Sequence, residues 1–121
     1  MKTQGIYLAW IIVKDIKAAI DFYTNQLGLK LISFDETYVW AELSGPEGYV
    51  LGICEESLEQ GMIAGTNAVF TITVDDLDEA REECLKKGIT LVGEVMEVPG
   101  HVKLQTLTDT DGNTLQLVQK L

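Results

Sequence analysis

Val13-Lys14-Asp15-Ile16-Lys17-Ala18-Ala19-Ile20 returns in outline later in the chain as Val74-Asp75-Asp76-Leu77-Asp78-Glu79-Ala80-Arg81. Asp15 corresponds to Asp76, Ile16 to Leu77 and Ala19 to Ala80, all at one offset. In both copies an apolar, strand-like run leads through an aspartate into a helix that ends near a glycine, Gly28 or Gly88. A repeat half the chain long indicates two similar modules packed together, because a solenoid uses shorter units in larger number. The expectation is duplication within one compact domain.

Working outward, Ile6–Val13 is rich in β-branched and aromatic residues and reads as a strand buried on both faces. Asp15 stands where an N-cap belongs, and Ile16, Ile20, Tyr23 and Leu27 follow at helical spacing. Gly28 is placed to end that helix in the left-handed conformation. Strands are expected over Leu29–Phe34, Tyr38–Leu43 and Tyr49–Cys54, with Ser44-Gly45-Pro46-Glu47-Gly48 as a turn. Glu55–Thr66 is acidic and glycine-containing, and it reads as the connector, with Glu55, Glu56 and Glu59 in a solvated loop.

The second copy repeats the plan. Strand Ala68–Val74 and helix Asp76–Lys87 precede strands Ile89–Val95, Val102–Thr108 and Thr114–Val118. Acidic residues open this helix and Lys86 and Lys87 close it, the order its dipole favours. The fold class is therefore α+β: two tandem βαβββ modules, about 5–55 and 67–121, joined by a connector of about 55–66. They form a curved, half-open, eight-stranded mixed sheet backed by two helices.

Composition narrows the partners. The chain has 121 residues, 46% of them hydrophobic, enough for a real core. With 9 basic and 19 acidic side chains its net charge is −10, which repels phosphate backbones and anionic headgroups. Nucleic acid and membrane are poor partners. No apolar run reaches spanning length, and Met1-Lys2-Thr3-Gln4 has no signal-peptide architecture, so the expectation is cytoplasmic. Cys54 and Cys84 are isolated and read as reduced thiols.

Two segments carry a family resemblance. Val13-Lys14-Asp15-Ile16-Lys17-Ala18-Ala19-Ile20-Asp21-Phe22-Tyr23-Thr24-Asn25-Gln26-Leu27-Gly28-Leu29 resembles the first helix segment of the vicinal oxygen chelate superfamily, which includes glyoxalases, bleomycin-resistance proteins and extradiol dioxygenases. Asp109-Thr110-Asp111-Gly112-Asn113-Thr114-Leu115-Gln116-Leu117 resembles its closing hairpin, with Thr110 where the family usually has proline. Independently, Asp111-Gly112 is a two-residue hairpin signal. The Asp109-x-Asp111-Gly112 spacing also suggests a calcium loop, but it lacks the third acidic position, the distal glutamate and flanking helices.

The resemblance implies a βαβββ duplication, a habit of dimerisation and, in the enzymes, a divalent metal held by His, Gln or Glu from four strands. It places those four positions on Leu8, Gly52, Val69 and Gln116. Three of these cannot coordinate through a side chain, and Gln116 alone is a weak ligand. The lone histidine, His101, lies in a loop. A divalent metal is thus disfavoured, and the expectation is no cofactor.

Strand alternation sketches the inner face. Trp10 and Ile12 follow Leu8; Tyr38, Trp40 and Glu42 share one face; Val69, Thr71 and Thr73 another; Thr114, Gln116 and Val118 a third. The expected pocket suits a planar or amphipathic molecule, with Trp10, Ile12, Tyr38, Trp40, Glu42, His101 and Gln116 as candidate ligand-binding residues. Glu42, beside Trp40, is the candidate base or cation-binding carboxylate. The primary expectation is a metal-free, homodimeric binding protein that sequesters an aromatic or cationic compound. The alternative is a glyoxalase- or dioxygenase-type enzyme, using Glu42, His101 and Gln116 as unconventional ligands or Glu42 as a metal-independent base. A third reading is a structural or regulatory dimer whose cavity is filled.

Overall fold

The computed structural model describes residues 2, 4, 9–60, 62–65 and 69–121. The chain divides into two compact units, Met1–Ala64 and Gly65–Leu121.

In the first unit, β1 (Ala9–Val13) pairs in parallel with β4 (Leu51–Glu55). Antiparallel pairing then links β4 to β3 (Trp40–Ser44) and β3 to β2 (Lys30–Asp35). The second unit repeats this as β5 (Phe70–Thr73), β8 (Thr114–Lys120), β7 (Val102–Thr108) and β6 (Leu91–Val98). The eight expected strands are thus arranged, among the described residues, as two four-stranded mixed sheets with the same order. The expected strand starts at Ile6 and Ala68 lie outside the described residues.

Each sheet is backed by one helix on its apolar face. Asp15 caps α1 (Ile16–Asp21), its Oδ1 accepting from the N–H groups of Lys17 and Ala18 at 3.0 and 3.2 Å. Asp76 caps α2 (Leu77–Lys86) by accepting from Glu79 N–H at 3.1 Å. Replacing Asp15 by Ala is expected to destabilise the protein by about 1 kcal/mol, read as a fall in urea midpoint at constant slope.

After α1 the chain widens into a π-helical turn, Phe22–Gln26. Thr24 Oγ1 donates to the Ile20 carbonyl at 2.6 Å, and Leu27 N–H reaches back five residues to Phe22. Phe22 and Tyr23 are both buried, so the buried stripe is Ile16, Ala19, Phe22 and Tyr23. Gly28, at φ 82, then ends the segment.

A second pair of contacts shows the duplication at atomic level. Glu55 Oε2, at the end of β4, accepts from the first N–H of α1 (Ile16) at 3.1 Å. Gln119 Oε1, at the equivalent place on β8, accepts from Leu77 N–H at 2.8 Å. Glu55 is therefore no loop residue: it closes a strand and satisfies a helix N-terminus. Glu56 Oε2 accepts from Ala64 N–H at 3.2 Å, so it too is held rather than free in solvent.

The closing hairpin differs from its two-residue reading. Thr108 pairs with Thr114, leaving a five-residue loop. Asp109 Oδ1 accepts from Asp111 and Asn113 N–H at 2.9 and 2.8 Å, and its Oδ2 accepts from Asn113 Nδ2 at 2.8 Å. The carboxylate thus organises the loop from within, while Gly112 takes φ 83. No helix among the described residues is long and apolar enough to cross a membrane.

Candidate functional site

The register of the first sheet maps its inner face into two rows of side chains. One row runs Asp35, Trp40, Cys54, Ile12; the next runs Ser33, Glu42, Gly52, Trp10. The alternate residues Ala41, Leu43 and Ile53 are fully buried on the helix side.

Gly52 leaves a notch in the second row, and the Trp40 indole fills it. A Cβ built on Gly52 would meet Trp40 Cη2 and Cζ2 at 2.5 Å and Trp10 Cβ at 2.9 Å. Only glycine lets the ring lie this close to the strand. The indole is also held laterally. Its Nε1 donates to Glu42 Oε2 at 3.0 Å, and the Trp10 ring stands 5.6 Å away, centroid to centroid, tilted by 60°. That spacing is a favourable aromatic contact.

These two rings open onto a cavity of about 630 Å³, within the size range of small-molecule sites. Its wall also includes Tyr38, Met62, Cys54 and the acidic residues Asp35, Glu55 and Glu56, with no Lys or Arg among the described residues. Trp10 is 38% exposed and Tyr38 75%, so both rings are accessible.

Tyr38 does not begin β3 as its apolar neighbours imply. It sits in the loop between β2 and β3, where Asp35 Oδ1 accepts from the N–H groups of Thr37 and Tyr38 at 2.9 and 3.2 Å. Val39 follows at φ 50, a left-handed conformation that a β-branched residue adopts only under strain. Its carbonyl is anchored by Glu55 N–H at 3.1 Å. Val39→Gly is therefore expected to raise the thermal midpoint by a few degrees, about 1 kcal/mol, whereas valine-to-glycine changes in strands lower it. A clear fall would contradict the strain.

Of the other candidates, Ile12 is buried against its partner Cys54 and does not line the cavity. Glu42 backs the indole instead of forming the wall. His101 and Gln116 belong to the second unit. His101 is exposed in the β6–β7 turn, its N–H donating to Val98 O at 2.9 Å. Gln116 Nε2 donates to Thr106 Oγ1 at 3.2 Å. Thr106 and Gln116 stand at the register positions that Glu42 and Gly52 hold in the first unit. Val69 is 53% exposed ahead of β5, and Leu8 lies outside the described residues.

Burial, with a smaller contribution from Glu55, pushes the Cys54 thiol above its ordinary range. Burial does the same at Cys84, where Glu83 adds to the rise and Lys87 opposes it. Both thiols keep their protons to higher pH folded than unfolded. Their contribution to stability is thus complete below the unfolded thiol range and is lost as pH rises from there through the raised folded values. Alkylation of Cys54 by iodoacetamide is expected to be slower than that of a free cysteine at mildly alkaline pH, and equal rates would contradict the burial.

The whole chain has clear structural counterparts. A superfamily member from Sphaerobacter thermophilus DSM 20745 is 25% identical, with 98% of each chain covered and a TM-score of 0.80. TnmS3, an antibiotic binding protein from Streptomyces sp. CB03234, is 20% identical over 100% of this chain and 99% of its own, with a TM-score of 0.79. FosX, a fosfomycin resistance protein from Listeria monocytogenes, is 18% identical over 99% and 96%, with a TM-score of 0.74. No curated protein matches the chain. The sequence profile of one family spans residues 5–117, and its duplicated architecture is the one described above. This chain belongs to the Glyoxalase/Bleomycin resistance protein/Dioxygenase superfamily.

Proposed function

We propose that this protein is a metal-independent small-molecule binder that takes a planar aromatic compound into the cavity of its first unit. The carrying observation is the Trp10–Trp40 pair, held against Gly52 at the mouth of a 630 Å³ space. Stacking on a ring fixed in advance loses little conformational entropy, which favours affinity.

The residues at the family's metal positions do not fit a divalent ion. Gly52 offers no side chain, and any ligand placed there would displace Trp40. Val69 has no donor, and the Gln116 amide nitrogen is engaged with Thr106. Among the described residues, no three His, Cys, Asp or Glu side chains converge as a ligand set. The structural likeness to an antibiotic binding protein and a fosfomycin resistance protein is in keeping with sequestration of a compound.

In this reading the protein works as a cytoplasmic homodimer, without nucleic-acid or membrane partners. Exposed Leu31 and Ile32 on β2, and Val92, Met96 and Val98 on β6, support self-association, since both strands end their sheets among the described residues.

Tryptophan fluorescence titrated with a panel of planar aromatics tests the reading. Saturable quenching that is lost in Trp40→Ala, with the compound recovered unchanged, is the expected result. Chemical turnover of the compound, or no saturable change with any of the panel, would overturn it.

A further inference from the structure

The indole N–H of Trp40 ends on a carboxylate. Holding the ring in place does not require that charge, because a neutral amide oxygen accepts the same hydrogen. A charge-assisted bond does more: it is stronger, and it draws the N–H proton away from the ring, leaving the π face richer in electrons. A richer face attracts cations and electron-poor rings.

The duplication supplies an internal comparison. Leu104 holds the register position of Trp40 in the second unit, and Thr106 that of Glu42. There the neighbouring polar contact, Gln116 to Thr106, is between neutral groups. The indole and the carboxylate therefore occur together in the first unit and are both missing from their counterparts in the second. Asp35, Glu55 and Glu56 in the cavity wall add negative potential of the same sense, although Glu55 directs one oxygen to α1.

We infer that Glu42 and Trp40 form a polarised stacking shelf, which selects planar cations of the quinolinium type over neutral rings of the same shape. The inference rests on the proposed binding of planar aromatics in this cavity. Glu42 acts in it as a positioning residue, through the indole and not by touching the ligand.

The test compares 1-methylquinolinium with quinoline, uncharged at neutral pH, by calorimetric titration of the full chain. The parent protein is expected to favour the cation by about fivefold. Glu42→Gln keeps an acceptor for the N–H, so the exciton circular-dichroism couplet of the two indoles should persist while the preference falls toward unity. Trp40→Phe keeps a ring but removes the N–H, and it should level the preference by a different route. Equal affinities in the parent protein, a preference retained in either variant, or loss of the couplet in Glu42→Gln would overturn the shelf and leave ring binding intact. Failure of both compounds to bind the parent protein would overturn the shelf together with the binding reading.

Discussion

Gly52→Ala is expected to lower the thermal midpoint by about 8 °C, equivalent to about 2 kcal/mol, and to abolish the exciton couplet of Trp10 and Trp40. One added carbon would lie 2.5 Å from two atoms of the Trp40 ring and 2.9 Å from Trp10 Cβ. Neither contact can be relieved locally. The ring is held by Glu42 at one end and Trp10 at the other, and the strand beneath it is paired on both sides. The ring must therefore swing into the cavity, losing its hydrogen bond and its contact with the Trp10 ring together. A midpoint within a degree of the parent, with the couplet intact, would show that the ring does not depend on the notch.

Gln105→Leu is expected to be more damaging, at about 3 kcal/mol or about 12 °C. Gln105 is fully buried, and its amide joins three parts of the second unit. Nε2 donates to the carbonyls of Val92, Gly93 and Thr106 at 3.2, 3.1 and 2.9 Å, and Oε1 accepts from Arg81 Nε at 2.8 Å. It thereby fills the irregularity in β6, where the register slips between Val92 and Met96 and Gly93 takes φ 70. Leucine matches the volume but strands the bulge carbonyls and leaves the Arg81 guanidinium facing an apolar group. Arg81→Met combined with Gln105→Leu should recover part of the loss, since removing both partners costs less than orphaning one. A double variant no more stable than Gln105→Leu would contradict that coupling.

The duplication made the fold legible, because the strand, cap, helix and glycine order appears twice and each copy supports the reading of the other. Alternation along β3 also placed Trp40 and Glu42 correctly on one face, opposite buried Ala41 and Leu43. The seating of Trp40 on Gly52 was not legible, since a missing side chain shows no partner until the register of distant strands is known. Nor did Val39 betray its turn: a valine among aromatics reads as strand, and the aromatic run masks the local Asx-type turn that Asp35 makes with Thr37 and Tyr38. Glu55 reads by composition as part of an acidic connector, yet aligning the ends of the two modules sets it against Gln119, at the same step after the inner-face row.

The proposed metal independence, with a notch for an indole at Gly52 where the family resemblance places a metal ligand, is the centre of this account. Thermal unfolding of chelator-treated protein, with and without Ni²⁺, Zn²⁺, Mn²⁺ and Fe²⁺, tests it most directly. An ion present at 100 times its dissociation constant would add about 2.7 kcal/mol, a shift of several degrees. The account predicts the same midpoint with every ion. A rise with one of them, abolished by Gln116→Ala, would contradict it.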